Sequence, residues 1–184
     1  MRYAIKSALV LILLAGCSGN NEMYLLKPAQ SAAALPNKLG RVEVMQVALP
    51  DYAVASEITI QDKEGVLRAQ SKKLWADKPV NAITQMMAEQ IAAQSKATAI
   101  VEPWPLSEPA DRRLEVRISQ IYAGNDGQFH LRGQYFVAPT GGQGSDIMRR
   151  FDLSVPLSDN SLAAVAQAES QALQDLARDI AQLK

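Results

Sequence analysis

Arg113-Leu114-Glu115-Val116-Arg117-Ile118-Ser119-Gln120-Ile121-Tyr122, then Gly124-Asn125-Asp126-Gly127, then Gln128-Phe129-His130-Leu131-Arg132-Gly133-Gln134-Tyr135-Phe136-Val137-Ala138: this stretch decides the fold. Leu114, Val116 and Ile118 alternate with Glu115, Arg117 and Ser119, which is the period of a strand with one buried face. Ile121 falls out of phase, so the end of that strand is not defined by alternation. Gly-Asn-Asp-Gly supplies the residues a tight turn needs. Phe129, Leu131, Gly133, Tyr135 and Val137 then alternate with His130, Arg132, Gln134 and Phe136. The two runs predict an antiparallel hairpin with one face in the core. After a loop at Pro139 to Ser145, Ile147 to Val155 predicts a third strand that closes a meander.

Working outward, Ser158-Asp159-Asn160-Ser161 offers caps for a final helix. Its residues Leu162, Ala166, Glu169, Leu173, Leu176, Ile180 and Leu183 keep a four-three rhythm broken only at Glu169. Such a seam suits either a coiled coil or docking on the protein's own sheet. Its length of about three heptads favours the sheet. Upstream, Trp75-Ala76-Asp77-Lys78-Pro79 reads as a helix entrance, with Asp77 as cap and Pro79 in the first turn. That helix runs to about Gln94, with Val80, Ile83, Met87 and Ile91 on one face. Shorter strands are predicted at Met23 to Leu26, Arg41 to Val47, Glu57 to Gln61, Val66 to Ala69 and Ala97 to Val101. Asp62-Lys63-Glu64-Gly65 turns between the third and fourth of these, and Leu49-Pro50-Asp51-Tyr52 ends the second. The order is strands, helix, strands, helix: a single α/β domain, a mixed β-sheet flanked by helices.

The amino terminus has a different character. Arg2 and Lys6 precede the apolar run Ala8 to Leu14, and small residues lead to Cys17, the single cysteine of the 184 residues. This is the layout of a secretory signal. Leu14-Ala15-Gly16-Cys17 resembles the lipobox of bacterial lipoproteins, which implies diacylglycerol on the Cys17 sulfur and an N-acyl chain, such as palmitate, on the new amino terminus. The alternative is a plain signal peptide cut near Ala15 with Cys17 as a free thiol. The apolar run is short of the roughly 20 residues a spanning helix needs, so anchoring falls to lipid, and two or more chains hold stably where one does not. Ser18 follows the cysteine where inner-membrane lipoproteins often carry Asp, a resemblance that implies the outer membrane. The chain therefore divides into a signal peptide at 1–16, a lipidated tether with a short strand at 17–38, and a folded domain at 39–184.

Removing residues 1–16 takes Arg2 and Lys6 with it, so 17 basic and 19 acidic residues remain, a net charge of about −2. That balance argues against nucleic acid as a partner and provides no polybasic patch for anionic lipid. With Cys17 acylated, no disulfide forms, and the fold relies on packing. Little in the sequence points to catalysis. His130 is the single histidine, placed on the polar side of its strand, and no Gly-x-Ser-x-Gly elbow accompanies it. One histidine and one acylated cysteine cannot supply the three or four ligands of a zinc site built from His and Cys. Gly141, Gly142 and Gly144 lack the spacing of a phosphate loop. Nineteen acidic residues contain no marked pair for glycoside cleavage. Trp75 and Trp104 suit either packing or a sugar groove.

Several pieces in order carry a family resemblance: the lipobox at Cys17, Tyr24-Leu25-Leu26, the valine-rich strand leading into Leu49-Pro50-Asp51-Tyr52, and Trp75-Ala76-Asp77. With them the chain resembles the ABC-type transport auxiliary lipoproteins, the group that includes the paraquat-inducible C-type lipoprotein. Ala53-Val54 departs from it, since the family more often continues with leucine after the tyrosine. The resemblance implies a fold similar to anticodon-binding-like and TolB amino-terminal domains, and a non-catalytic role without cofactor. It further implies an outer-membrane-tethered component facing the periplasm, which docks a tunnel-forming mammalian-cell-entry (MCE) domain protein and its permease system in the transport of lipid or other hydrophobic molecules. A homo-oligomeric ring suits a symmetric tunnel. Leu49, Pro50, Tyr52 and Trp75 are the candidate partner-binding residues, with loop and helix-start packing as their alternative. Two other functions stay open at this point: a lipid carrier with its own cavity, and an envelope hydrolase or cell-wall-binding module.

Overall fold

In a computed structural model, residues 20–28, 35–142 and 144–183 are described. The predicted signal peptide, Cys17, Ser18, most of the Pro28 to Asn37 connection and Gln143 lie outside them. In chain order the described elements are β1 (Glu22–Tyr24), β2 (Arg41–Val44), a 3-10 turn (Asp51–Ala53), β3 (Glu57–Gln61), β4 (Leu67–Trp75) and α1 (Pro79–Ser95). Then come β5 (Thr98–Val101), β6 (Arg112–Ala123), β7 (Gln128–Pro139), β8 (Ile147–Pro156) and α2 (Leu162–Ala181).

The meander β6–β7–β8 is the backbone of the sheet, with antiparallel register from Arg112 opposite Pro139 to Ala123 opposite Phe129, and from Gln128 opposite Pro156 to Val137 opposite Ile147. Along its far side β6 carries two branches. Near Arg112–Leu114 it pairs in parallel with β2, which pairs in parallel with β5. At its other end Ala123 meets Ile60 of β3, beyond which lie β4 and then β1. The result is one mixed eight-stranded sheet with β8 and β1 among its edges.

The phase break at Ile121 is a β-bulge. The register shifts between Ile118 and Gln120, and the hydroxyl of Ser119, the extra residue, donates to the Arg132 carbonyl at 3.1 Å. One added residue restores Ile121 and Ala123 to the buried face that Leu114, Val116 and Ile118 occupy, as a bulge does. Gly133 sits across from it. A Cβ there would overlap the Arg117 carbonyl oxygen and approach the Ile118 Cα to 3.0 Å, so the close approach of the two strands requires glycine.

Four expectations are corrected. Trp75 ends a strand and does not open a helix: its N–H donates to the Ser56 carbonyl at 2.7 Å, and Tyr24 lies opposite it on β1. β4 thus runs well past Ala69 through Gln70-Ser71-Lys72-Lys73, a polar stretch with no alternation, where the register with β3 jumps from Ala69 opposite Thr59 to Leu74 opposite Glu57 and Lys72 takes a positive φ. Asp77 is not the cap of α1. Lys78 holds that position without a side-chain bond, and Asp77 accepts only from the Lys78 N–H, at 2.7 Å. Pro79 opens the helix as expected, because its missing N–H is one that a first turn leaves unbonded anyway. β2 also ends earlier than predicted. Beyond Val44 the chain leaves regular pairing, the Val47 N–H donating to the Thr84 hydroxyl and Ala48 meeting Arg117 in an isolated bridge.

Both helices contribute to one core with the sheet. Ile83, Met87 and Ile91 of α1 are buried, and Gln94 donates from its side chain to the Gln174 carbonyl of α2 at 3.0 Å. Ser161 caps α2, its hydroxyl accepting from the Ala164 N–H at 3.1 Å. Leu173, Leu176, Ile180 and Leu183 are buried within this single chain, and α2 packs on α1, β7 and β8. The seam is therefore a docking face. Each fully buried leucine or isoleucine there contributes about 1.5–3 kcal/mol.

Candidate functional site

The predicted partner-binding residues are placed by the 3-10 turn and by the end of β4. Pro50 precedes the turn, and the Ala53 N–H donates to its carbonyl at 2.8 Å. Tyr52 is half-buried, and its hydroxyl oxygen accepts from the Ile121 N–H at 3.1 Å, just past the bulge. Burial pushes its pKa up against the opposing effect of that bond. Leu49 and Trp75 pack against the core. Ala53, Ile58, Trp75, Ile83, Phe129 and Glu169 line one small cavity of about 20 Å³. The loop and the tryptophan are thus brought together through Ala53, while Leu49, Pro50 and Tyr52 are not part of that lining. The most exposed large apolar side chain of the loop is Val54, at 49%.

Glu169 gives this cavity its chemistry. It is 3% exposed on the inner side of α2. Burial alone pushes its carboxyl up to about 8, with no cation or hydrogen bond offsetting it among the described residues. A volume of about 20 Å³ suffices for a single water, which gives a protonated carboxyl a partner. It is far smaller than a lipid.

The outward face of β6–β7–β8 is polar. In register, Tyr122, His130 and Ser154 form one row, Gln120, Arg132 and Asp152 the next, and Arg117, Gln134 and Arg150 a third. Arg132 pairs with Asp152 at 2.8 Å, while Arg117 pairs with Glu115 at 2.5 Å and lies over the Phe136 ring. These three arginines line a shallow groove of about 520 Å³. The strand pattern marks each of them as outward-facing; only cross-strand register shows that they converge.

His130 is not a solitary solvent-facing side chain. Its Nε2 lies 3.0 Å from Asp126 Oδ2, its Nδ1 lies 3.2 Å from the Ser154 hydroxyl, and its ring meets Tyr122 at 5.2 Å. Partial burial works against ionisation of Asp126, but bonds from His130 and the Gln128 N–H hold its carboxyl below the usual range. With Asp126 of the β6–β7 turn the row brings together serine, histidine and aspartate, yet Asp126 is half exposed. In a hydrolytic triad the aspartate is buried and backbone donors face the nucleophile. Here the row lies on the face of an open sheet, and it reads as a cross-strand polar network. Among the described residues no His, Cys, Asp and Glu cluster suited to a metal ion occurs, and no helix is long and apolar enough to cross a membrane.

An α/β domain with two helices on a mixed, branched sheet is an architecture already seen in solved structures. An uncharacterized protein aligns with a TM-score of 0.73 at 20% identity, over 89% of this chain and 98% of the other. Protein XCC0632 of Xanthomonas campestris aligns at 0.68 and 16% identity, over 86% and 92%. A PelC dodecamer from Paraburkholderia phytofirmans reaches 0.43 at 16% identity over 80% and 94%, too distant a likeness to bear on assembly. No curated protein matches the chain. The family of ABC-type transport auxiliary lipoprotein components matches residues 24–181, and the chain belongs to that family.

Proposed function

We propose that the chain is a non-catalytic accessory of an MCE-type envelope transport system. Diacylglycerol and an N-acyl chain on Cys17 hold it at the outer membrane, facing the periplasm, and it acts without a cofactor. Its folded domain docks a tunnel-forming MCE-domain protein, and through it a permease, in the transport of lipid or another hydrophobic molecule. The observation that supports this reading is family membership across residues 24–181, which leaves the Leu14-Ala15-Gly16-Cys17 sequence immediately upstream of the matched domain. The core cavity is the size of one water, which favours an accessory over a lipid carrier.

The candidate docking surface is the loop of Leu49, Pro50 and Tyr52 together with Trp75. Because Tyr52 and Trp75 are half-buried, their exposed neighbours Asp51, Val54 and Ala76 are the positions for a photocrosslinker. Crosslinking in intact cells is expected to trap an MCE-domain protein from at least one of them, and Cys17→Ser is expected to move the chain from the membrane to the soluble fraction. Recovery of no larger adduct from any of the three removes this surface. Unchanged membrane fractionation of Cys17→Ser removes the anchor.

A further inference from the structure

We propose that the exposed face of β1 and the residues after it rests on the same bilayer that receives the Cys17 lipid, so that the domain is oriented by its own edge strand as well as tethered. The inference rests on the anchor reading above and adds a second contact to it. β1 is an edge strand, paired on one side with β4. From Met23 to Lys27 the side chains alternate. Tyr24 and Leu26 pack against the core, while Met23, Leu25 and Lys27 face out, Met23 at 67% and Leu25 at 59% exposed. Two large apolar side chains and one ammonium group therefore form a single outward row. The edge is held in place, since the Glu22 carboxylate takes the Lys73 ammonium and accepts from the Tyr24 hydroxyl at 2.8 Å.

The length of chain before this row determines what covers it. Cys17 precedes Met23 by six residues, and six residues reach at most about 21 Å. With the Cys17 sulfur joined to glycerol through a thioether at the headgroup level, Met23 and Leu25 are held near the interface. An apolar pair with a flanking lysine matches a surface whose interior is hydrocarbon and whose rim carries phosphate. A second exposed apolar pair, Val66 and Leu67, lies where β4 begins, at the end away from its pairing with β1. Opposite Leu67 and Leu74 on β3, Gln61 and Glu57 are four residues apart, about 13 Å, which makes the pair Val66 and Leu67 an internal control.

The test uses the full acylated chain in phosphatidylethanolamine–phosphatidylglycerol vesicles. Acylation consumes the native thiol, so a cysteine introduced by Leu25→Cys or Val66→Cys is the sole labelling site. Each is coupled to an environment-sensitive NBD fluorophore, and quenching by headgroup-region spin-labelled lipid is read. The expected result is blue-shifted, quenched emission from position 25 and solvent-like emission from position 66. A vesicle-bound protein in which both positions stay solvent-like overturns the inference and leaves the anchor standing. A shift at position 25 that persists without vesicles in the lipid-free Cys17→Ser chain also overturns it, assigning the row to the groove it shares with α2 or to another copy of the chain. Failure of the acylated chain to float with vesicles refutes the anchor, and this inference with it.

Discussion

Replacing Glu169 by glutamine tests the physical reading of the core most directly. The carboxyl stands at about 8 in the folded chain against an ordinary 4.5, through burial. Between those values the folded state keeps a proton that the unfolded state has released, so stability falls as pH rises through the window. The slope is about 1.4 kcal/mol per pH unit, and the whole window amounts to on the order of 5 kcal/mol, with about 3 kcal/mol of it lost by pH 7. Below the unfolded value the group is neutral in both states and contributes no pH dependence. Above the folded value the penalty is complete. Glutamine has nearly the shape of the protonated acid and does not titrate. Urea unfolding of the mature chain carrying Cys17→Ser, with and without Glu169→Gln, is expected to give closely similar midpoints near pH 4.5. The Glu169→Gln midpoint should then move progressively higher than that of the parent up to about pH 8.5. All other titrating groups cancel in that difference. Parallel midpoints across the range, or a parent that gains on the variant as pH rises, would refute the assignment of a buried, uncompensated carboxyl.

Gly133→Ala should destabilise the meander by about 3 kcal/mol, because a Cβ there meets backbone across the bulge and backbone cannot yield as a side chain does; a denaturant midpoint within error of the parent would count against the bulge geometry. Tyr135→Phe removes the bond that the buried hydroxyl donates to Asp179 Oδ2 at 2.7 Å. The loss should be about 1–2 kcal/mol by thermal unfolding, since exposed Asp179 regains water. Ser161→Ala should cost about 1 kcal/mol and Ser161→Asp should restore it, as the residue caps α2; equal melting of the two variants would show that the cap is not the source.

Local pattern carried the reading a long way in the second half of the chain. Alternation placed β6, β7 and β8 to within a residue or two, and the four-three rhythm identified the buried face of α2, including the position where Glu169 interrupts it. The first half was less legible. β4 pairs with β3 only near its two ends, at Leu67 to Ala69 and at Leu74, and bulges between them, so nothing within Gln70 to Lys73 announces a strand. The same absence of local signal made Trp75 read as a helix start. For the candidate surfaces, the loop at Leu49 to Tyr52 was visible as a break, but its attachment through the Ile121 N–H was not.

The sequence by itself determined the meander, the two helices, the lipobox-like cysteine and the short length of chain between that cysteine and the domain. These depend on neighbours along the chain, whose spacing sets which side chains share a face. Tertiary structure alone decided that Ser119 is the bulged residue, that Glu169 meets a water-sized cavity, that His130 joins Asp126 and Ser154, and that Met23 and Leu25 lie on an uncovered edge. Each of those is a relation between segments far apart in sequence, produced when strands pair and helices dock, and burial or exposure is assigned only at that step.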